Sequence, residues 1–131
     1  MRTRTTIVWG LAAAALMVAC GGSSTSPSTT PGNPVNTTTV TIANNTVSPV
    51  TIVVPRGTQV TFVNNDNRSH DIQFDPQPEH SDCPEIGQVG FLNPGQRQSR
   101  QTGNLNIART CGYHDHSAPD VKSLLGSIVI Q

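Results

Sequence analysis

Val50, Ile52 and Val54 alternate with Thr51 and Val53, and the same beat runs through Val40 and Ile42 with Thr39 and Thr41, and through Val60 and Phe62 with Thr61 and Val63. A period of two puts every second side chain on one face, which is the pattern of a half-buried strand and not of a helix. Pro49 and Pro55 bracket one run, a turn follows at 56–58, and the Asn-Asn-Asp-Asn cluster at 64–67 makes another. His70, Ile72 and Phe74 share one face of a fourth strand, after which 75–85 read as a proline-punctuated loop and 92–95 as a turn. Leu105 and Ile107 lead a strand toward Cys111, and 126–130 form a last apolar strand. Strands at this spacing predict an all-β sandwich or barrel.

The sign and size of the charge narrow the partners. Eight basic groups balance eight acidic ones with no Lys/Arg cluster, so there is no electrostatic footprint for nucleic acid. Arg2 and Arg4 precede an apolar run at 7–19 that suits a signal-peptide core and is too short to span a bilayer. It ends in Leu16-Met17-Val18-Ala19-Cys20, which resembles a bacterial lipoprotein cleavage box, with Cys20 as the lipidated residue. Residues 20–36 are rich in Gly, Ser, Thr and Pro and read as a disordered tether. The expected layout is a signal peptide at 1–19, the lipidated Cys20 and tether at 20–36, and a folded domain at 37–131, held at the membrane by its lipid and facing the periplasm or the cell exterior. Beyond the signal, the aromatics are Phe62, Phe74, Phe91 and Tyr113, so the core is built mainly from Val, Ile and Leu.

The residues that carry chemistry are His70 and the late cluster Cys111-Gly112-Tyr113-His114-Asp115-His116. A thiolate with two imidazoles suits copper, sulfur favouring Cu(I) and imidazole accepting either oxidation state. His114 and His116 are two apart, and an extended segment lets both reach one ion. His80, in the polar run Pro78-Glu79-His80-Ser81-Asp82-Cys83, reads as a solvated loop residue. Cys83 competes for the same sulfur: an oxidising compartment favours its pairing with Cys111, which would remove the thiolate and leave the histidines as a sulfur-free metal site or none, so a free Cys111 ligand and a Cys83–Cys111 disulfide both stand as readings.

The stretch Pro49-x-x-Ile52-x-Val54-x-x-Gly57-x-x-Val60-x-Phe62-x-Asn64, with His70, Pro94-Gly95-Gln96, Cys111-x-x-His114 and Gly126-x-Ile128-x-Ile130, resembles a cupredoxin over 37–131. The resemblance implies a Greek-key β-sandwich of about seven to eight strands. In the plastocyanin-like branch it also implies a type 1 copper held by His70, Cys111 and His114, with His116 as the alternative to His114. The sequence departs from that pattern where an axial methionine is expected: Leu124 and Leu125 stand there, and the chain's two methionines are Met1 and Met17. Arg109 stands where an inward aromatic is common and is expected to pair locally. Asn65 and Asp71 are expected to brace the site.

Two functions follow. One is a lipid-anchored copper-binding electron carrier that meets redox proteins transiently through an apolar patch of Tyr113, Ala118 and Leu124. The other is a lipoprotein of the same fold in which Cys83 and Cys111 are paired and which buffers metal or binds a protein. Neither is an enzyme, and Gly-x-Ser-x-Gly, His-Glu-x-x-His and phosphate-loop motifs do not occur.

Overall fold

A computed structural model describes residues 33–94 and 98–131. Its strands are β1 (Val35–Asn36), β2 (Thr39–Ala43), β3 (Thr46–Ser48), β4 (Thr51–Val54), β5 (Thr61–Asn64), β6 (His70–Phe74), β7 (Gly90–Leu92), β8 (Gln98–Gln101), β9 (Arg109–Asp115) and β10 (Gly126–Ile130). They form a six-stranded sheet in the order β1-β4-β10-β9-β6-β7 and a four-stranded sheet in the order β3-β2-β5-β8. The expected segment 1–19, the lipidation site Cys20 and the tether up to residue 32 lie outside the described residues. Among the described residues no helix is long and apolar enough to cross a membrane.

The alternation read from the sequence is what closes the sandwich. Val40 and Ile42, Ile52 and Val54, Phe62, Ile72, and Ile128 and Ile130 are buried between the sheets, while their Thr, Val and Ser neighbours are exposed or half-buried. Register keeps the inward sets in line: Ile52 lies opposite Ile128, and Ile128 opposite Cys111. Phe62 from one sheet meets Tyr113 from the other edge to face, ring centroids 5.0 Å apart.

The ten strands exceed the seven or eight expected because the extra ones are short or polar. β1 is a two-residue parallel pair with β4 inside the segment read as tether. β3 folds back from β2 through Asn44 and Asn45, whose φ values of 52° and 59° suit asparagine in the left-handed region. The sequence of β8, Gln-Ser-Arg-Gln, has no apolar beat, and it closes the edge of the four-stranded sheet with polar side chains, which blunt an open edge. Leu105 contributes a single bridge to Thr58 and no strand.

Gly126 opens β10 where the chain passes Tyr113. A Cβ on Gly126 would overlap the Tyr113 ring and hydroxyl and lie 2.8 Å from the Val50 carbonyl oxygen. Tyr113 is fully buried between the sheets, so it has no room to retreat. Gly126→Ala is therefore expected to cost about 1–3 kcal/mol through overpacking, read as a lower urea midpoint at unchanged slope; a native-like midpoint would show that the tyrosine has a second place to go.

Candidate metal centre

β9 presents alternate residues to opposite faces. Cys111, Tyr113 and Asp115 point between the sheets and are fully buried, while Gly112 and His114 take the other face. β6 lies antiparallel to β9 with Gln73 opposite His114, and just past it the Asp75 amide donates to the Gly112 carbonyl at 3.1 Å. Because Gly112 lacks a side chain, the Asp75 carboxylate lies over it; any Cβ there would overlap that carboxylate. Asp75 Oδ1 thereby reaches His114 Nδ1 at 2.7 Å.

The loop that follows is fastened to β9 at its far end. Cys83 and Cys111 form a disulfide with Cα atoms 5.9 Å apart, and Arg109 Nη2 donates to Glu85 Oε2 at 2.9 Å. Within the loop, the His80 amide donates to the Pro76 carbonyl (2.7 Å) and the Asp82 amide to the Asp75 carbonyl (3.2 Å). His80 sits at φ +46°, a backbone state uncommon outside glycine that the surrounding bonds hold in place. Its ring stacks on His114, centroids 5.2 Å apart and planes 20° from parallel, with the two Nε2 atoms 3.3 Å apart. His116 joins from just past β9, its amide donating to the Asp71 carbonyl at 2.7 Å and its ring centroid 5.1 Å from that of His80. One donor atom from each of the three imidazoles lies within 4.8 Å of the others. His114 is buried, His80 half-buried and His116 exposed.

The chemistry of this trio is set by Asp75. An ionised carboxylate only accepts, so His114 Nδ1 carries the proton and Nε2 holds the lone pair that faces His80. A carboxylate behind an imidazole is the usual support for a metal-ligating histidine, fixing its tautomer and raising its basicity. Two imidazole nitrogens at this distance either share one proton or share one cation. Ligands bound at about 2.0–2.1 Å in a tetrahedral arrangement stand about 3.3 Å apart, so the His80–His114 pair has the spacing of two ligands of one ion.

Inside the sandwich, beside this cluster, His70 is fully buried between two acids. Its Nδ1 lies 2.8 Å from Asp115 Oδ2 and its Nε2 lies 3.0 Å from Asp66 Oδ2. Burial pushes the Asp66 carboxyl up, but hydrogen bonds from the Asn45 amide, the His70 ring and the Asn44 amide outweigh it and hold the group below its ordinary 3.8.

Solved structures that share this architecture include cupredoxins. The domain resembles a mutant plastocyanin of a fern (TM-score 0.57, 16% identity, 71% of this chain and 99% of that one) and a purple cupredoxin from Nitrosopumilus maritimus (0.52, 16%, 72% and 100%). It also resembles a methionine-to-alanine mutant of amicyanin in its Cu(I) form (0.51, 21%, 71% and 80%). The chain has a cupredoxin fold. No protein-family model matches it, and comparison with curated proteins finds no significant sequence relative.

Within the cupredoxin-fold domain the ligand set implied by the sequence resemblance is not assembled. Cys111 is bonded to Cys83, so its sulfur is not a thiolate, and both nitrogens of His70 are taken up by carboxylates. His114 instead meets His116 and His80, the histidine read as a solvated loop residue. Tyr113 and Leu124, read as parts of an apolar docking patch with Ala118, are in the core, where burial also raises the Tyr113 hydroxyl well above its ordinary value. Arg109 pairs with Glu85, 24 residues away. Asp71 braces the centre with its main chain, whereas the Asn65 amide joins β5 to β2 through the Ile42 carbonyl. Asp66, Asp75 and Asp115 partner histidines through contacts that no local sequence pattern marks. A signal for His80 was present nonetheless: it precedes Cys83 by three residues, and His114 follows Cys111 by three, so pairing the cysteines brings both imidazoles to one place.

Two outcomes follow. Replacing Cys83 and Cys111 together by Ser should cost about 3 to 4 kcal/mol for a 28-residue separation on the chain-entropy account, and amide exchange in the loop that carries His80 should quicken as that loop is released; unchanged exchange would place the loop's hold elsewhere. For Asp66, a folded-state pKa below the ordinary one means that its contribution is complete above about pH 4 and is lost as pH falls through the depressed value. Urea midpoints taken from about pH 6 to pH 3 should therefore drop less steeply for Asp66→Asn than for the native chain, and parallel profiles would remove Asp66 from the acid response.

Proposed function

We propose that this chain is an exported, lipid-anchored cupredoxin-fold protein that binds one copper ion through His80, His114 and His116, with the Cys83–Cys111 disulfide serving structure in place of a thiolate ligand. The observation that carries the reading is the convergence of three imidazole nitrogens within 4.8 Å, the most buried of them oriented by Asp75. Three nitrogens without sulfur suit Cu(II) and also Zn(II). When bound, the ion supplies Lewis acidity or, if copper, a one-electron couple. The protein's own residues do the rest: Asp75 fixes the His114 tautomer, the disulfide holds the His80 loop against β9, and exposed His116 leaves an edge open to solvent. The apolar run before Cys20 supports export and lipid anchoring, which would hold the centre near a membrane surface.

A second reading is favoured by the solved structures. The plastocyanin was determined oxidised and reduced and the amicyanin as Cu(I), and copper cycling at the tris-histidine centre would make this chain an electron carrier for redox proteins met transiently.

Titration of the purified chain with Cu(II) tests both. One copper per chain, nitrogen couplings in its electron paramagnetic resonance spectrum, no intense thiolate-to-copper band, and loss of binding in His114→Ala are the expected results. An intense thiolate band would instead make Cys111 a ligand and return the site to His70, Cys111 and His114. Reversible voltammetry of the copper form separates carrier from buffer.

A further inference from the structure

The position that the cupredoxin resemblance assigns to a copper ligand, His70, is occupied by a residue with a different set of partners, and those partners lead back to the metal centre. Asp115 stands between His114 and His116 in sequence, but its side chain is fully buried and points the other way. Its Oδ2 meets His70 Nδ1 at 2.8 Å, while its Oδ1 accepts the amides of Asp71 and Ser117, each at 3.0 Å. The Asp71 carbonyl in turn accepts the His116 amide at 2.7 Å. The main chain on both sides of His116 is thus tied to β6 and to one buried carboxylate.

At the other end of the imidazole, His70 Nε2 meets Asp66 Oδ2 at 3.0 Å, and that same oxygen accepts the Asn45 amide at 2.9 Å from the turn between β2 and β3. Asp66 is held by Asn64, whose Oδ1 accepts the Asp66 amide at 2.9 Å and whose Nδ2 faces the carbonyls of Arg68 (2.8 Å), Asn93 (3.0 Å) and Leu92 (3.2 Å). A line of hydrogen bonds therefore crosses from the four-stranded sheet to the end of β9 in the six-stranded one. A histidine ring suits the middle of it: flat and rigid, with its two nitrogens spread so that each lies within hydrogen-bond distance of a different carboxylate. Without His70, Asp115 would be a buried carboxylate lacking its ring partner, which is costly.

We propose that His70 is a positioning residue for the metal centre: held between Asp66 and Asp115, it locks the segment that carries His114 and His116 so that the two imidazoles are set as a chelate before an ion arrives. The inference rests on the tris-histidine reading. Its physical content is preorganisation, since ordering of the His-x-His segment is accomplished by folding and does not oppose binding.

The test uses the full chain with Cu(II) as probe and three readouts: affinity by chelator competition, the copper paramagnetic resonance signature, and metal-free amide exchange at His116 and Ser117. The variants are His70→Gln, Asp66→Asn, His114→Ala and, as a control for stability loss alone, Val47→Ala in the buried side of β3. His70→Gln should weaken copper binding by about ten- to a hundred-fold, alter the copper signature and speed exchange at Ser117, Asp66→Asn should do the same in smaller measure, and Val47→Ala should leave the copper signature native. A native affinity and signature in His70→Gln, or equal changes in Val47→Ala, would overturn the proposal. If His70→Gln does not fold, Asp66→Asn decides by the same readouts. Copper binding that is lost in His114→Ala but native in His70→Gln sinks this inference alone; a native chain that binds no Cu(II) removes the tris-histidine reading and this one together.

Discussion

The disulfide between Cys83 and Cys111 is the constraint on which the functional end of this molecule depends. It joins a proline-rich loop to the strand that runs between the two sheets' aromatic contact and the histidine cluster, and both of its cysteines are fully buried. A sulfur atom cannot be half of that bridge and a thiolate ligand at once, so forming it decides which chemistry remains. It also delivers His80 to His114, because each lies three residues from its own cysteine. Fold stability and site assembly are therefore coupled through one covalent bond.

Around that bond the domain separates two kinds of histidine. His70 is inside, bonded at both nitrogens to carboxylates, and acts as a link between sheets. His80, His114 and His116 converge their nitrogens on the other face of β9, graded from buried His114 through half-buried His80 to exposed His116, and His114 has the Asp75 carboxylate at its back. The difference follows from strand parity. β9 turns Asp115 inward and His114 outward, and β6 turns His70 inward to meet Asp115. A one-residue slip of either strand would exchange their roles.

Glycine and aspartate set the remaining geometry. Gly112 gives the Asp75 carboxylate room to lie across β9, and Gly126 lets β10 start beside the Tyr113 ring. Neither needs an unusual φ; each is required by close approach. The centre is thus a consequence of packing on both faces of one strand, with the core behind it and the loop over it.

Much of this was legible in the sequence. Thr/Val/Ile alternation at 39–42, 51–54, 61–63 and 126–130 determined strands, inward faces and a sandwich, because period-two burial is a local property of the chain. β8 was hidden because edge pairing needs backbone groups and no apolar side chains, and the two-residue β1 because it is held by its neighbour β4 alone. For the site, the sequence supplied the histidines, both cysteines and the two possible fates of sulfur, and it brought out the His114-x-His116 chelate. What it left open was which fate holds, and it read His70 as a copper ligand and His80 as a solvated loop residue, whereas His70 is a buried link between two carboxylates and His80 joins the histidine cluster. Only the tertiary structure decided these, since a ligand and a buried hydrogen-bonding histidine are the same residue until three-dimensional neighbours are known. Asp66, Asp115 and Asp75 come from four, 45 and 39 residues away to make that distinction.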